Sequence, residues 1–518
     1  MLSISPSARS LLAARHNVSG HHLVVRTQPS PAAARPLLVS RTRRRAFTTT
    51  PRPFALRAIE MSEQELRRLN VNGARLMDEL HRTCAFGTGQ RWGEATTDTG
   101  MSRLSLTDSD KQVRDWFVAT TRALGCSTTV DAMGNVFAVR PGRRGNGDAP
   151  ATFAGSHLDT QPAGGRYDGI LGVLAGVEML RVLAENDVET EYPVGVVNWT
   201  NEEGARFPVS MVSSGVWAGV IPLERAHGLQ EVGGGTATMK SELERIGYLG
   251  STPASHEAMP MAAHFELHIE QGPKLEAARQ KIGVVQGVQG YRWFTVQVRG
   301  RESHSGTTDL ANRADALLTA SKLILHSHRL AARHDALATT GILTLSPGSV
   351  NTVPGSVRFS LDIRSPDESR LELLEDTIRQ HFAAIALGGD EADFLFDVES
   401  VRGLPCEVDI IEDSRSHVLK FDEAAVAAVR KAAERVDAVA GRIVDMTSGA
   451  GHDSVYASVR CPTAMVFVPS RDGVSHNPRE WTSPEDCALG AQVLMGAVLE
   501  WDRSRAAAAD GAAGVKVK

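Results

Sequence analysis

The 518-residue chain is too long for one ordinary domain, because domains cluster near ~100–150 residues and single cores stop growing near ~250–300. A composition 42% hydrophobic and 23% charged excludes a wholly disordered chain, a fibrous protein and a disulfide scaffold. Aromatics at 5% and a net charge of -5 lack the stacking residues and basic excess of a nucleic-acid surface, and no apolar run approaches the ~20 residues of a membrane span. A soluble enzyme acting on a small molecule is the expectation, with no nucleic-acid or membrane partner.

The first 59 residues differ chemically from the rest. They contain ten Arg, no Lys and no acid, so the remainder carries 46 basic against 61 acidic residues. An Arg-, Ser- and Thr-rich, acid-free head has the composition of a mitochondrial transit peptide, and Arg45-Ala46-Phe47 before Thr48-Thr49-Thr50 resembles a matrix-processing junction. The mitochondrial matrix is therefore the expected location; a disordered basic tail on a cytoplasmic protein is the alternative. Five cysteines, at 84, 126, 406, 461 and 487, show no C-x-x-C spacing and are expected to be reduced and buried.

From Met61 the sequence is helix-like, with Leu66, Leu69, Leu76, Met77 and Leu80 among charged residues. Buried strands are predicted at Ala151–Gly155, Val194–Trp199 and Ala464–Val468, and Ile170–Leu183 is apolar almost all round, as a helix packed on a sheet would be. The fold class is α/β: a mostly parallel sheet with helices on both faces, whose ligands bind beyond the C-terminal strand ends. A small α+β unit is inserted at 290–402, between catalytic parts at 60–289 and 403–505. Within it Phe294–Val298 alternates, Asn312–Leu330 reads as a helix, and Ile342–Leu345 and Val357–Ile363 read as strands. Ser365-Pro366-Asp367-Glu368 reads as a capping box opening a helix to about Leu387. Further helices are predicted at Glu423–Val439 and from Pro484 to about Trp501, with 506–518 a disordered tail.

The polar residues that carry chemistry follow the predicted strands. Ser156-His157-Leu158-Asp159-Thr160 ends the first and leads to Arg166-Tyr167-Asp168-Gly169, where Asp168 could also be a helix N-cap. Thr200-Asn201-Glu202-Glu203 ends the second; two adjacent carboxylates in a partly dry site repel unless a cation is nearby. His264-Phe265-Glu266-Leu267-His268-Ile269 puts apolar residues on one strand face and ionisable ones on the other. Arg471-Asp472-Gly473-Val474-Ser475-His476 follows the third. Imidazoles and carboxylates converging from several strand ends suit Zn²⁺ or Mn²⁺, and a shared carboxylate can bridge two ions.

Five strings in order carry a resemblance: Gly-Ser-His-Leu-Asp-Thr at 155–160, Gly-Arg-Tyr-Asp-Gly-Ile-Leu-Gly at 165–172, Asn-Glu-Glu-Gly-Ala-Arg-Phe at 201–207, His-Ile-Glu-Gln-Gly-Pro at 268–273 and Gly-Ala-Gly-His-Asp at 449–453. Together they resemble the dinuclear-metal aminoacylase and carboxypeptidase superfamily, in its N-carbamoyl-L-amino-acid hydrolase, β-ureidopropionase and allantoate amidohydrolase branch, over about residues 65–502. The resemblance implies two divalent ions, Zn or Mn with Co or Ni as options: one held by His157, Asp168 and His268, the other by Asp168, Glu203 and His476. Asp159 would orient His157 through its carboxylate. Glu202 is left as the base that moves the proton of the attacking water; in the alternative, Glu202 and Glu203 are both ligands.

Resemblance also supplies the substrate residues. Arg364, on the polar face of its predicted strand, would grip a substrate carboxylate, for which a guanidinium fork is suited; an ordinary surface arginine is the competing reading. Asn351 would assist it, and His452 and Gln271 match substrate-contacting positions. His304 resembles a histidine that reaches the partner subunit's active site to stabilise the oxyanion, which implies a homodimer through the inserted unit. Ser454 departs from the Ala more common in the family, a difference that bears on specificity. The implied reaction is hydrolysis of the ureido C–N bond of a carboxylated N-carbamoyl amino acid. Allantoate, carbamoyl β-alanine and acyl amino acids are alternative substrates, and a catalytically dead dimeric binding module is the alternative of a different class.

Overall fold

A computed structural model describes residues 62–144, 149–388 and 403–515. The segment 1–59, read above as a targeting sequence, lies outside the described residues. The opening stretch forms two helices, Glu63–Arg68 and Gly73–Thr83, because the side chains of Ser62 and Asn72 each accept a backbone N–H at a helix start.

The main sheet has nine strands among the described residues. Its centre runs Thr463–Val468, Met261–Ile269, Ala151–His157, Val194–Trp199, with every neighbouring pair parallel. The flanks turn antiparallel. Ile282–Val288 pairs with Thr463–Val468 on one side, and Val136–Arg140 then Ser127–Val130 close the other.

Alternate residues of the central strands divide between two cores, which is why these strands read as continuous apolar runs. Ala154, Val194 and Val196 pack with the helices Ile170–Glu185, Glu423–Glu434 and Pro484–Val515. Phe153, Val197 and Trp199 pack on the opposite face with Trp217 and Ala457, from the short helices Val212–Trp217 and Asp453–Ala457. Each fully buried Val or Phe side chain among them contributes about 1.5–3 kcal/mol relative to exposure. Because the four central strands are parallel, they end at one edge. His157, Thr200–Glu203, His268 and the segment 471–476 all arrive there.

The inserted unit is an antiparallel sheet of Gly290–Arg299, Leu337–Thr339, Leu343–Ser346, Ser356–Ser365 and Glu407–Ser416. Two helices, Ala316–Arg333 and Glu368–Ala386, cover one face of it; Phe294, Val296, Phe359 and Leu361 meet Leu323, Leu374 and Phe382 there.

Three expectations are corrected. The boundary at 402 falls too early, because Glu407–Ser416 pairs along Gly290–Arg299 and Cys406 lies in the inserted core. The chain returns to the main sheet only at Leu419–Lys420, against Val288 and Gly287. The helix expected to open at Ser365 starts two residues later, since Asp367 accepts the Arg370 N–H and is the cap. The tail expected to be disordered from 506 continues the last helix to Val515. Its Ala-rich sequence has high helix propensity, and Arg144 anchors it through a bidentate pair with Asp510 at 2.7 and 2.9 Å.

The five cysteines are free and buried, as expected. No helix among the described residues is long and apolar enough to cross a membrane.

Candidate active site

Asp168 stands at the centre of the strand edge. Its Oδ1 lies 3.1 Å from His268 Nε2 and 3.5 Å from His157 Nε2, and its Oδ2 lies 3.3 Å from His476 Nε2. His476 Nε2 is also 3.3 Å from Glu203 Oε2. Two groups of candidate ligands thus share one carboxylate: His157, Asp168 and His268, and Asp168, Glu203 and His476. The first group is fully buried, whereas His476 is half exposed.

These side chains fit a divalent ion on grounds independent of any likeness. Tetrahedral ligand atoms about 2.1 Å from one ion lie about 3.4 Å apart, close to the separations seen here. His157 Nε2 is buried without a hydrogen-bond partner, a costly state for a polar atom unless something else binds it. His157 Nδ1 faces the Asp159 carbonyl and His268 Nδ1 the Ile269 carbonyl, both at 2.9 Å. Each carbonyl accepts the Nδ1–H and so leaves Nε2 as the unprotonated nitrogen, which at His268 accepts the Gly169 N–H at 3.2 Å; an unprotonated Nε2 is what a ligating imidazole offers. Gly169 makes room for this, because a Cβ there would lie 2.3–2.5 Å from the His157 ring and its φ of +65° disfavours other residues.

The charge pattern also calls for cations. Although burial pushes it up, the His157, His268 and His476 imidazoles that face Asp168 hold its carboxyl well below the usual carboxylate range. The Asp168 and Glu203 carboxylates push His476 up to about 11. Glu202 differs: burial, with Asp453, Glu203 and Asp168 nearby, holds its carboxyl well above the ordinary value although His157 pulls the other way.

Asp159 corrects an expectation. Its carboxylate does not meet His157; Oδ1 and Oδ2 each accept a backbone N–H, from Glu202 and Glu203, at 3.3 Å. A strand end carrying two successive acids exposes two successive N–H groups, and a two-oxygen acceptor matches them. Only the Asp159 backbone carbonyl orients the imidazole.

Of the residues expected to contact substrate, Gln271 joins the cluster: its Nε2 donates to Asp168 Oδ2 at 2.7 Å and lies 3.4 Å from His476 Nε2. His452 is buried with its ring centroid 4.5 Å from that of His268, at 60°. Its Nε2 lies 3.0 Å from Ser448 Oγ, whose own proton goes to the Ala450 carbonyl, so Nε2 is the protonated nitrogen. Burial, together with neighbouring His268, pushes His452 down to about 3. Arg364 crosses from the inserted unit to the His452 loop: its Nη1 donates to the Gly449 carbonyl at 3.1 Å, and Nε and Nη2 are held by Asp362 at 2.8–3.1 Å. His304 and Asn351 lie together elsewhere on that unit, where Ser305 N donates to the Asn351 carbonyl and His304 Nδ1 accepts from Gly306 N. Neither has a hydrogen bond or ion pair with the cluster among the described residues.

Glu480 was not anticipated. It is buried and collects the Tyr167 N–H at 3.0 Å, the Asp168 N–H at 3.1 Å and the Ser475 hydroxyl at 2.8 Å, tying the Asp168 loop to the His476 loop. Burial and the neighbouring Asp168 push it up to about 7. Its position four residues after His476 was the available signal.

Residues 153–500 match the model of peptidase family M20/M25/M40. The chain belongs to this family. M20 enzymes are metal-dependent hydrolases. An N-carbamoyl-L-amino-acid amidohydrolase of Rhizobium meliloti is 38% identical over 432 residues, 83% of this chain and 96% of that protein. An allantoate amidohydrolase of Bacillus subtilis is 32% identical over 405 residues, 77% of this chain and 92% of that one. Among solved structures, an amidase of the hydantoinase/carbamoylase family from Burkholderia multivorans superposes with a TM-score of 0.74 at 43% identity, covering 84% of this chain and 98% of its own.

Proposed function

We propose that this M20 chain hydrolyses the ureido C–N bond of N-carbamoyl amino acids: one water and one carbamoyl amino acid give the free amino acid, carbon dioxide and ammonia. The observation that carries the reading is the division of labour between adjacent acids. Glu203 points to the shared-carboxylate cluster, while Glu202 lies beside it, 3.4 Å from His157 Nε2, with a carboxyl held above its usual range. Likeness to N-carbamoyl-L-amino-acid amidohydrolases over nearly their whole length supports the substrate class.

His157, Asp168 and His268 would hold one divalent ion and Asp168, Glu203 and His476 a second, Zn or Mn, with Co or Ni as alternatives. When bound, such ions lower the pKa of water and polarise the carbamoyl oxygen. Glu202 takes the proton of the attacking water and returns it to the leaving nitrogen as the C–N bond breaks. His452 offers its Nε2–H to the oxygen that gains charge, exchanging it for Ser448. Arg364 anchors the substrate carboxylate beside the His452 loop, so that binding energy remote from the reacting carbon positions it. Asn351 assists Arg364 at the substrate carboxylate, and His304 acts at this site from the partner subunit of a homodimer built on the inserted unit, as a second donor to the oxyanion. Gln271 steadies Asp168 and contacts substrate from the same side. Residues 1–59 direct the protein to the mitochondrial matrix.

A panel of carbamoyl α-amino acids, carbamoyl β-alanine, allantoate and acyl amino acids, assayed with Mn²⁺, Co²⁺ or Zn²⁺, tests the substrate class. Carbamoyl α-amino acids should have the highest kcat/KM. Preference for allantoate would move the reading to the reaction named for the Bacillus subtilis relative.

A further inference from the structure

Glu266 is wholly buried in the middle of the strand Met261–Ile269, and no Lys or Arg among the described residues forms an ion pair with it. Burying a carboxylate in this way costs several kcal/mol unless donors replace its water. The donors come from two other segments. Ser156 Oγ donates to Oε1 at 2.7 Å, while Ser454 donates twice to Oε2, from its hydroxyl at 2.6 Å and its backbone N–H at 3.2 Å.

Each participant adjoins a group of the site. Ser156 precedes His157; Glu266 shares a strand face with His268, two residues on; Ser454 follows His452 by two residues, in the short helix that His452 opens. On its other side His452 has the Ser448 hydroxyl as a hydrogen-bond partner. Through Ser156 and Ser454, Glu266 links the strand end that carries His157 to the short helix that His452 opens.

We propose that Glu266 is a positioning residue, a single carboxylate that sets the place of His452 against His157 and His268 by holding Ser156 and Ser454 at once. The inference rests on the reading of His452 as a group that meets the reacting substrate. A carboxylate suits the task because both oxygens accept and neither carries a hydrogen. Gln keeps the span: its oxygen can accept both Ser454 donors, and the Ser156 hydroxyl can rotate to accept from its amide. Ala breaks the link, and Ser454→Ala removes one hydroxyl while leaving almost no void.

The test is a double-mutant cycle in the metal-loaded full-length enzyme, on whichever substrate the wild type turns over fastest. Glu266→Ala should lower kcat by roughly 30–100-fold with KM within about twofold and metal content unchanged, and Glu266→Gln should restore most of it. In a His452→Ala background, Glu266→Ala should cost less than about threefold more, since the effect passes through His452. Ser454→Ala should give a smaller loss that His452→Ala likewise silences, which keeps the test open if Glu266→Ala does not fold. Losses that multiply, or a Gln variant no better than Ala, would overturn the proposal. A readout independent of turnover separates this from failure of the proposed reaction: in histidine-labelled protein the His452 imidazole resonances should move in Ser454→Ala, which removes no charge, and should move further in Glu266→Ala than in Glu266→Gln, which lose the same charge. His452 resonances unmoved in Ser454→Ala, or moved equally in the two Glu266 variants, would overturn the proposal even if no carbamoyl substrate is hydrolysed, whereas the expected shifts with an inactive wild type would count against the reaction alone.

Discussion

The backbone carbonyl of Asp159 faces His157 Nδ1 at 2.9 Å, while the carboxylate of the same residue receives the Glu202 and Glu203 N–H groups. One residue therefore orients a candidate ligand with its main chain and the acid pair with its side chain. Asp159→Asn leaves the first contact intact and spoils the second, because an amide has one accepting atom for two N–H groups. The expected result is loss of the ion held with Glu203 before the ion held with His157, read from metal content and site occupancy. Loss at the His157 site first would return the carboxylate to the imidazole.

The adjacent acids should fail differently. Glu202→Gln should keep metal and lower kcat by roughly 10²–10⁴-fold, the usual scale of a removed general base. Glu203→Gln should lose metal. Elemental analysis beside single-turnover rates separates the two, and equal metal loss in both would make Glu202 a ligand.

Metal uptake should depend on pH through His476. In the metal-free protein the Asp168 and Glu203 carboxylates raise this imidazole to about 11, so at neutral pH it carries a proton that an ion must displace. The raised pKa places neutral pH on the protonated side, so affinity should climb as pH rises, by about tenfold per unit for one displaced proton. Competition against a chelating indicator between about pH 6 and 8 measures this. A flat profile would show that His476 is unprotonated in the free protein or is no ligand.

Arg364 should matter for substrate and not for metal. Replacing it by Ala removes a charge-assisted fork and should weaken transition-state binding by roughly 2–4 kcal/mol, with metal content unchanged. Lys should rescue little, because the Asp362 and Gly449 contacts use three separate guanidinium nitrogens that an ammonium cannot reproduce. Steady-state kinetics on a carbamoyl amino acid and its decarboxylated analogue would show it: the wild type should prefer the acid strongly and the Ala variant should not.

Much of this arrangement is legible in the sequence, for physical reasons. Val194–Trp199 is apolar on both faces because two cores pack against it, and parallel order then brings the residues after each central strand to one edge. What is not legible depends on backbone placement. Nothing in the string His157-Leu158-Asp159 says whether a carbonyl or a carboxylate will meet the ring. Glu480 lies in a loop whose acid resembles any solvated one until the Tyr167 and Asp168 N–H groups are seen to converge on it. Glu407–Ser416 is too polar to announce a strand, and only pairing with Gly290–Arg299 reveals it.

The most direct measurement is ammonia release from a carbamoyl α-amino acid by protein stripped of metal and then titrated with Mn²⁺ or Zn²⁺. The account expects no turnover from the stripped protein, recovery that saturates near two equivalents, and none in Glu202→Gln at any metal loading. Full activity in protein shown by elemental analysis to be metal-free would contradict it.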